Sequence, residues 1–254
     1  MSVPAATRVY LTDIGTPEID AEMLAAARRL KDAGCIPVPH LAARRIASRE
    51  ALETRIGQLA EQAGVNDILV VGGGTAKPAG PYASTMDILE TGLLDRFGIK
   101  DIAVAGHPAG NPDFTEASAN EILRQKKAFA DHTGARLRIV TQFGFDPARV
   151  IAWVDGLTKI GITVPVHIGM AGPTGLTTLM KYAKLCGVSN SLSVLSKSAD
   201  NIASLMAGYS PETFATAIEE ELATLARPTV SHLHVFPFSG FEKASHWLRS
   251  RGSW

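Results

Sequence analysis

The sequence predicts an α/β fold in which parallel strands alternate with helices, closed into or approaching a TIM-type (βα)8 barrel. Short apolar runs rich in β-branched residues recur along the chain, and segments with helical periodicity separate them. The length of 254 residues suits one such barrel. Because no Pro/Ser-rich linker or internal repeat interrupts the alternation, we expect a single domain over residues 1–254.

The elements follow from apolar runs, helical periodicity and helix-end residues, taken in chain order. Strands are predicted at 9–12, 36–41, 67–71, 102–107, from Ile139, at 164–169 and at 230–236. Helices are predicted at 18–33, 44–63, 84–97, 116–133, 147–160, 176 to about 207, and 211–226. Gly34 follows the first helix, where a glycine commonly ends one.

This count is one strand short of the usual eight. Since only eight residues precede the first predicted strand, an additional strand has little room there. An incomplete barrel leaves unpaired strand edges, which need cover from a helix or a second chain. We therefore expect a homo-oligomer, or a partner chain over the open edge.

Charge balance, apolar runs and cysteine count argue against several classes of function. The 25 basic and 25 acidic residues cancel, so we expect neither nucleic acid nor a membrane surface as partner. No apolar run approaches a membrane span, and the beginning lacks a signal-peptide core. Two cysteines suggest neither a disulfide framework nor a thiolate cluster. We expect a cytoplasmic protein without a metal site.

The carboxyl ends of the predicted strands carry the candidate functional groups, which in a barrel meet at one mouth. They are Thr12, His40, the glycines at 72–74, His107, Gln142, His167 and Phe236. Gln142 could donate to and accept from a heterocycle. Simpler interpretations stay open at this point: a loop-capping His40, a flexible turn at 72–74, a solvated Lys126–Lys127 pair and a core Tyr182.

Several segments, in matching order and spacing, resemble the methylenetetrahydrofolate reductase family, flavin-dependent barrels that reduce 5,10-methylenetetrahydrofolate to 5-methyltetrahydrofolate. They are PVPHL at 37–41, DILVVGGG at 67–74, YAS at 82–84, AVAGHPAGNP at 103–112, KK at 126–127, VTQFGFD at 140–146, VPVHIGMAGP at 164–173 and HLHVFPF at 232–238.

The resemblance implies an FAD site and a folate site. The implied FAD-binding residues are Thr12, His40, Gly73, Gly74, Tyr82, Ala83, His107, Asn111, Asn120, Lys126 and Lys127. The implied folate-binding residues are Gln142, Thr178 and Tyr182, and Gln142 is also the implied catalytic residue, contacting the pterin and, alternately, the nicotinamide.

The chain also departs from the family at functional positions. Gly74 stands where the family has an aspartate beside the flavin pyrimidine, and Asn111 replaces a flavin-binding histidine. Asn120 replaces an aspartate, Lys126 an arginine and Thr178 a glutamine. The family's first strand, with the glutamate thought to donate a proton, has no counterpart. Asp13 is the nearest positional candidate for that donor.

The expected function is therefore an oxidoreductase of one-carbon metabolism that interconverts 5,10-methylenetetrahydrofolate and 5-methyltetrahydrofolate. NAD(P)H would be the co-substrate and FAD the cofactor. Two alternatives stay open: a folate-binding subunit with weak or no redox activity, and a flavin-free reductase.

Overall fold

The structure, a computed structural model, describes residues 3–111, 113–186, 208–225 and 229–252. Within these residues seven strands form a sheet in chain order, from β1 to β7, with helices between them. Neighbouring strands with a resolved register run parallel. This topology confirms the predicted α/β class and is consistent with an incomplete TIM-type barrel.

The strands are β1 (Arg8–Leu11), β2 (Ile36–Ala42), β3 (Asp67–Val71), β4 (Asp101–Gly106), β5 (Arg136–Thr141), β6 (Val166–Ala171) and β7 (Val230–Phe236). The helices are α1 (Ile19–Asp32), α2 (Arg49–Ala63), α3 (Thr85–Leu89), α4 (Leu93–Arg96), α5 (Glu116–Thr133), α6 (Pro147–Lys159), α7 (Leu176–Leu185), α8 (Glu212–Leu222) and α9 (Phe241–Arg251). A 3₁₀ turn, Ala43–Arg45, follows β2 directly.

Local sequence signals explain where several helices begin and end. The Ser48 side chain accepts from the backbone N–H of Ala51 at the start of α2, and Gly64 ends that helix with φ of 59°. Asp146 caps α6 in the same way, with Pro147 at the first helical position. These caps place the helix starts just after the strand-end loops.

Two predicted helices differ from the structure. The segment 84–97 is not one helix but two, because Gly92 takes a left-handed φ of 74° between α3 and α4. The helix predicted from 44 begins instead at Arg49, after the 3₁₀ turn and the Ser48 cap. Of the helical segments predicted at 176–207, α7 is seen, and the positions beyond 186 lie outside the described residues.

Backbone packing divides the chain into two compact units. The first contains Val3–Ala105 and Gln125–Arg138, and the second contains Gly106–Arg124 and the described residues from Ile139 onward. The single-domain interpretation of residues 1–254 stays a prediction.

The first unit has a charged core. Asp67, at the start of β3, is 1% exposed and accepts from Arg8 Nε at 2.9 Å and from Arg138 Nη2 at 2.7 Å. Arg138 also donates to the Tyr10 hydroxyl at 3.1 Å. Side chains from β1, β3 and β5 thus share one buried carboxylate.

The second unit has an aromatic core, which we call the aromatic cluster. Its residues lie after β5, on α7, just before α8, and at the end of β7 and after it. They are Phe143, Phe145, Tyr182, Tyr209, Phe236 and Phe238. Ring pairs in edge-to-face and stacked arrangements hold them together.

Candidate active site

In the first unit, His40 is a half-buried histidine on β2, directly opposite Leu69 of β3. Burial lowers the pKa of His40 to about 4, against an opposing effect of Asp13. The imidazole is therefore neutral at pH 7, with one ring nitrogen able to donate and the other able to accept. Its ring meets the edge of Tyr10 at 6.4 Å. Thr12 is exposed just beyond the end of β1.

The glycines after β3 supply only backbone N–H and C=O groups to the first unit, and no charged side chain. Gly73 has a left-handed φ of 84°, and a Cβ there would stand 3.4 Å from Ala42 Cβ. Gly74 is exposed, and a Cβ there would meet no atom within 4 Å. A longer side chain would fit at position 74, yet glycine supplies no carboxylate.

The 82–83 segment is hydrogen-bonded to other residues of the first unit. The Ala83 N–H donates to Asp87 at 2.7 Å, and its carbonyl accepts from Arg44 Nε at 2.9 Å. Tyr82 is 5% exposed, and burial raises the pKa of its hydroxyl. Both backbone groups of Ala83 therefore already have protein partners.

The two lysines of α5 differ sharply in surroundings. Lys127 pairs with Asp131 at 2.6 Å, one helical turn away, which fits a solvated pair. Lys126 is 5% exposed and has no carboxylate partner among the described residues. Burial lowers the pKa of Lys126 to about 8. Helical spacing carries this signal, since Lys126 lies on the same face as the buried Leu123 and Ala130.

Asn120 belongs to the second unit but lies on the same helix. Its Oδ1 is buried and accepts no hydrogen bond from any described residue. A buried acceptor without a donor is costly unless a ligand or water satisfies it.

Asp13 lies in a buried group of ion pairs and hydrogen bonds just beyond β1. Its side chain is 1% exposed, and its two oxygens pair with Arg45 Nη1 and Arg55 Nη1, each at 3.0 Å. The N–H of Gly15 donates to it as well, at 2.9 Å. These contacts hold the Asp13 side chain in place, and its candidacy as the proton donor stays a prediction.

In the second unit, Gln142 follows the last residue of β5. Its backbone N–H donates to the Gly106 carbonyl at 3.0 Å, and its side-chain Oε1 accepts from the Phe143 N–H at 3.1 Å. The side chain is half-buried. No described residue accepts from its amide Nε2, so Gln142 has donor capacity left for a ligand.

Close strand packing fixes the position of Gln142. Thr141 Oγ1 accepts from the Gly169 N–H at 2.7 Å, and a Cβ at Gly169 would overlap the backbone of β5. A glycine is required here because β5 and β6 approach so closely.

Tyr182 stacks on Phe238 with ring centroids 4.6 Å apart and an interplanar angle of 19°. Tyr182 is half-buried, and Thr178 lies one helical turn earlier on α7. The HLHVFPF segment includes Phe238, but nothing in the sequence analysis singled that residue out.

The remaining site residues of the second unit contact their own loops. The His107 ring meets Phe114 edge-on at 5.1 Å. Asn111 Oδ1 accepts from the Asp113 N–H at 2.8 Å, a local turn contact.

In the part of the chain that is described, no three His, Cys, Asp or Glu side chains are arranged for a metal ion. No described helix has the length and apolarity to cross a membrane.

Parallel strands that alternate with helices, with an amide, an imidazole and glycines at or near the strand ends, define the class of (βα)-barrel proteins. Within that class, the chain belongs to the methylenetetrahydrofolate reductase family, whose model matches residues 9–243. Membership supports an oxidoreductase.

Among solved structures, the chain is similar to 3-keto-D-glucoside 4-epimerase, YcjR, from E. coli in its apo form. The TM-score is 0.43 and the identity 12%, over 98% of this chain and 88% of the epimerase chain. A likeness this weak carries no argument about activity.

Proposed function

We propose that the chain interconverts 5,10-methylenetetrahydrofolate and 5-methyltetrahydrofolate, with NAD(P)H as hydride donor and FAD as cofactor. Membership of the methylenetetrahydrofolate reductase family supports the reaction class. The observation that carries the proposal is Gln142, whose Nε2 has no described acceptor at the end of β5. This amide would orient the pterin, and Tyr182 would pack on the substrate.

Lys126 on α5 fits the diphosphate end of a dinucleotide. It is a buried cation that lacks a described counter-charge. A diphosphate would supply the missing negative charge. Lys126 would hold this end of FAD, and His40 and Gly73 of the same unit would lie at its ring.

Bound FAD would supply hydride transfer between the nicotinamide and the folate, and the protein would supply binding and orientation. His40 would present a neutral ring nitrogen, because burial disfavours its protonation. Gly74 would leave the flavin pyrimidine without a neighbouring carboxylate at that position. We expect this loss to change the flavin potential relative to family members with an aspartate there.

A second candidate is the same reaction without flavin, by direct transfer from nicotinamide to folate. The engaged backbone of Ala83 and the locally bonded side chain of Asn111 favour it, because both are implied FAD-binding positions. Lys126 would then bind the diphosphate of the nicotinamide dinucleotide. A third possibility, a folate-binding subunit without turnover, is an outcome of the test below.

The test combines a spectrum with an assay on the purified full chain. We expect visible flavin absorbance that survives desalting, and NADH oxidation that depends on 5,10-methylenetetrahydrofolate. A colourless protein with the same folate-dependent oxidation would establish the flavin-free candidate instead. A colourless protein that binds 5-methyltetrahydrofolate but oxidises no NADH or NADPH would contradict both and support the binding subunit.

A further inference from the structure

The loop after β7 contains two consecutive non-glycine residues in the left-handed region of the backbone. Phe238 has φ of 44° and Ser239 has φ of 67°. The Cβ of a bulky residue makes this region unfavourable, so an aromatic residue stays there only where the surrounding structure compensates for the strain. Phe238 is nevertheless buried, with 9% of its surface exposed, and belongs to the aromatic cluster.

The contacts of the Phe238 ring show what holds it there. One neighbour is the Tyr182 ring, stacked at 4.6 Å and 19°. Another is Phe143, which meets it edge-on at 4.9 Å and 75°. Next along the chain, Ser239 Oγ lies 3.4 Å from the Tyr182 hydroxyl oxygen. Both left-handed residues therefore contact Tyr182.

These contacts restrict the Tyr182 ring before any ligand arrives. Tyr182 is half-buried on α7 and would rotate more freely without the stack and the Ser239 contact. A side chain already held in one orientation loses less conformational entropy when a ligand binds. A relaxed loop with a smaller residue at position 238 would not restrict the Tyr182 ring in this way.

We infer that Phe238 is a positioning residue that holds the Tyr182 ring in place for a planar ring of the folate substrate. This inference rests on the proposed function, because it takes Tyr182 as the group that packs on the substrate. Phe238 itself acts through Tyr182 and need not touch the folate.

The test measures the dissociation constant for 5-methyltetrahydrofolate by calorimetry, with the full chain. Phe238→Leu should raise this constant between about two- and tenfold, the range that an aromatic pair supports. Phe238→Tyr, which keeps the ring, should restore tight binding. Because Phe238 acts through Tyr182, the double variant Tyr182→Leu/Phe238→Leu should bind no more weakly than Tyr182→Leu alone.

Phe145→Leu is the matched control. Phe145 is 3% exposed and meets Phe143 and Tyr209 edge-on. It should lower the melting temperature like Phe238→Leu but leave the dissociation constant unchanged. Three results would overturn the inference but not the proposed function. They are wild-type binding in Phe238→Leu, additive losses of affinity in the double variant, and an equal loss of affinity in Phe145→Leu. A wild-type chain that binds no folate would overturn the proposed function and the inference together.

Discussion

At the level of single residues, the lowered pKa of His40 predicts a loss of stability in acid. Desolvation lowers the pKa of this half-buried imidazole to about 4, below the ordinary 6.5. Between these pH values the unfolded chain binds a proton that the folded chain does not, so stability is lost as the pH falls from 6.5 towards 4. Urea unfolding of His40→Gln should show a flatter pH profile over this window than the wild type.

His132→Gln is the control for that experiment, because His132 is an exposed histidine near the end of α5. It should keep the wild-type profile. Identical profiles for His40→Gln and the wild type would contradict the lowered pKa of His40.

Lys126 makes a second prediction at this scale. Its pKa is lowered from 10.5 to about 8, which corresponds to about 3 kcal/mol against burial of the charged form. Stability should therefore rise as the pH increases from about 8 to 10.5, where only the unfolded chain keeps the proton. Lys126→Met should raise the free energy of unfolding at pH 7 and remove this rise.

The same substitution should weaken binding of FAD or of NADH, whichever dinucleotide the protein uses, because the diphosphate loses its buried cation. Lys127→Met is the matched control, since Lys127 already pairs with Asp131. We expect little change in stability and a smaller change in binding. Equal effects of the two variants, by urea unfolding and calorimetry, would show that burial does not distinguish the lysines.

Gln142 makes a third prediction. Gln142→Ala should lower kcat/KM for the folate about tenfold or more, because the pterin loses a hydrogen-bond partner. The melting temperature should change little, since the amide makes one described contact, with the adjacent Phe143. Steady-state assays that give unchanged folate affinity and turnover would contradict the assigned role.

At the scale of elements, Asp67 links three strands of the first unit. It pairs with Arg8 of β1 and Arg138 of β5 from its place on β3, and Arg138 is 5% exposed. Asp67→Asn should cost about 3–5 kcal/mol of unfolding free energy, because a buried guanidinium loses its counter-charge. Asp101→Asn, which breaks the more exposed pair with Arg136, should cost much less in the same denaturant titration.

The elements also show what sequence patterns can predict. The apolar run at 67–71 coincides with β3, because strand burial selects continuous apolar sequence. The segment predicted at 230–236 coincides with β7, although its residues are only partly buried or exposed. The break between α3 and α4 depends on the backbone conformation of Gly92, which a hydrophobic pattern does not encode. Capping residues such as Ser48 carry a readable signal, and it places the start of α2 where the periodicity alone did not.

Sequence patterns likewise predict some of the candidate site residues and not others. Strand-end position was enough to select His40 and Gln142 as candidates, since a parallel sheet places such residues at one edge. It could not separate Lys126 from Lys127, although helical periodicity relative to Leu123 could have done so. Phe238 escaped notice because its role depends on a left-handed φ and on ring stacking, which residue type does not reveal.

At the scale of the whole molecule, the strand order ends at β1 on one side and at β7 on the other. The expectation that a second chain covers an open edge stays a prediction, as does the oligomeric state. Family membership over residues 9–243 supports the reaction class.

The proposed reaction of this chain is the interconversion of methylene- and methyl-tetrahydrofolate. The most direct measurement is anaerobic incubation of the purified chain with NADH or NADPH and 5,10-methylenetetrahydrofolate, followed by chromatographic detection of 5-methyltetrahydrofolate. We expect 5-methyltetrahydrofolate to form in step with nicotinamide oxidation, and to form much more slowly with Gln142→Ala. Binding of both substrates without any 5-methyltetrahydrofolate would contradict the proposal.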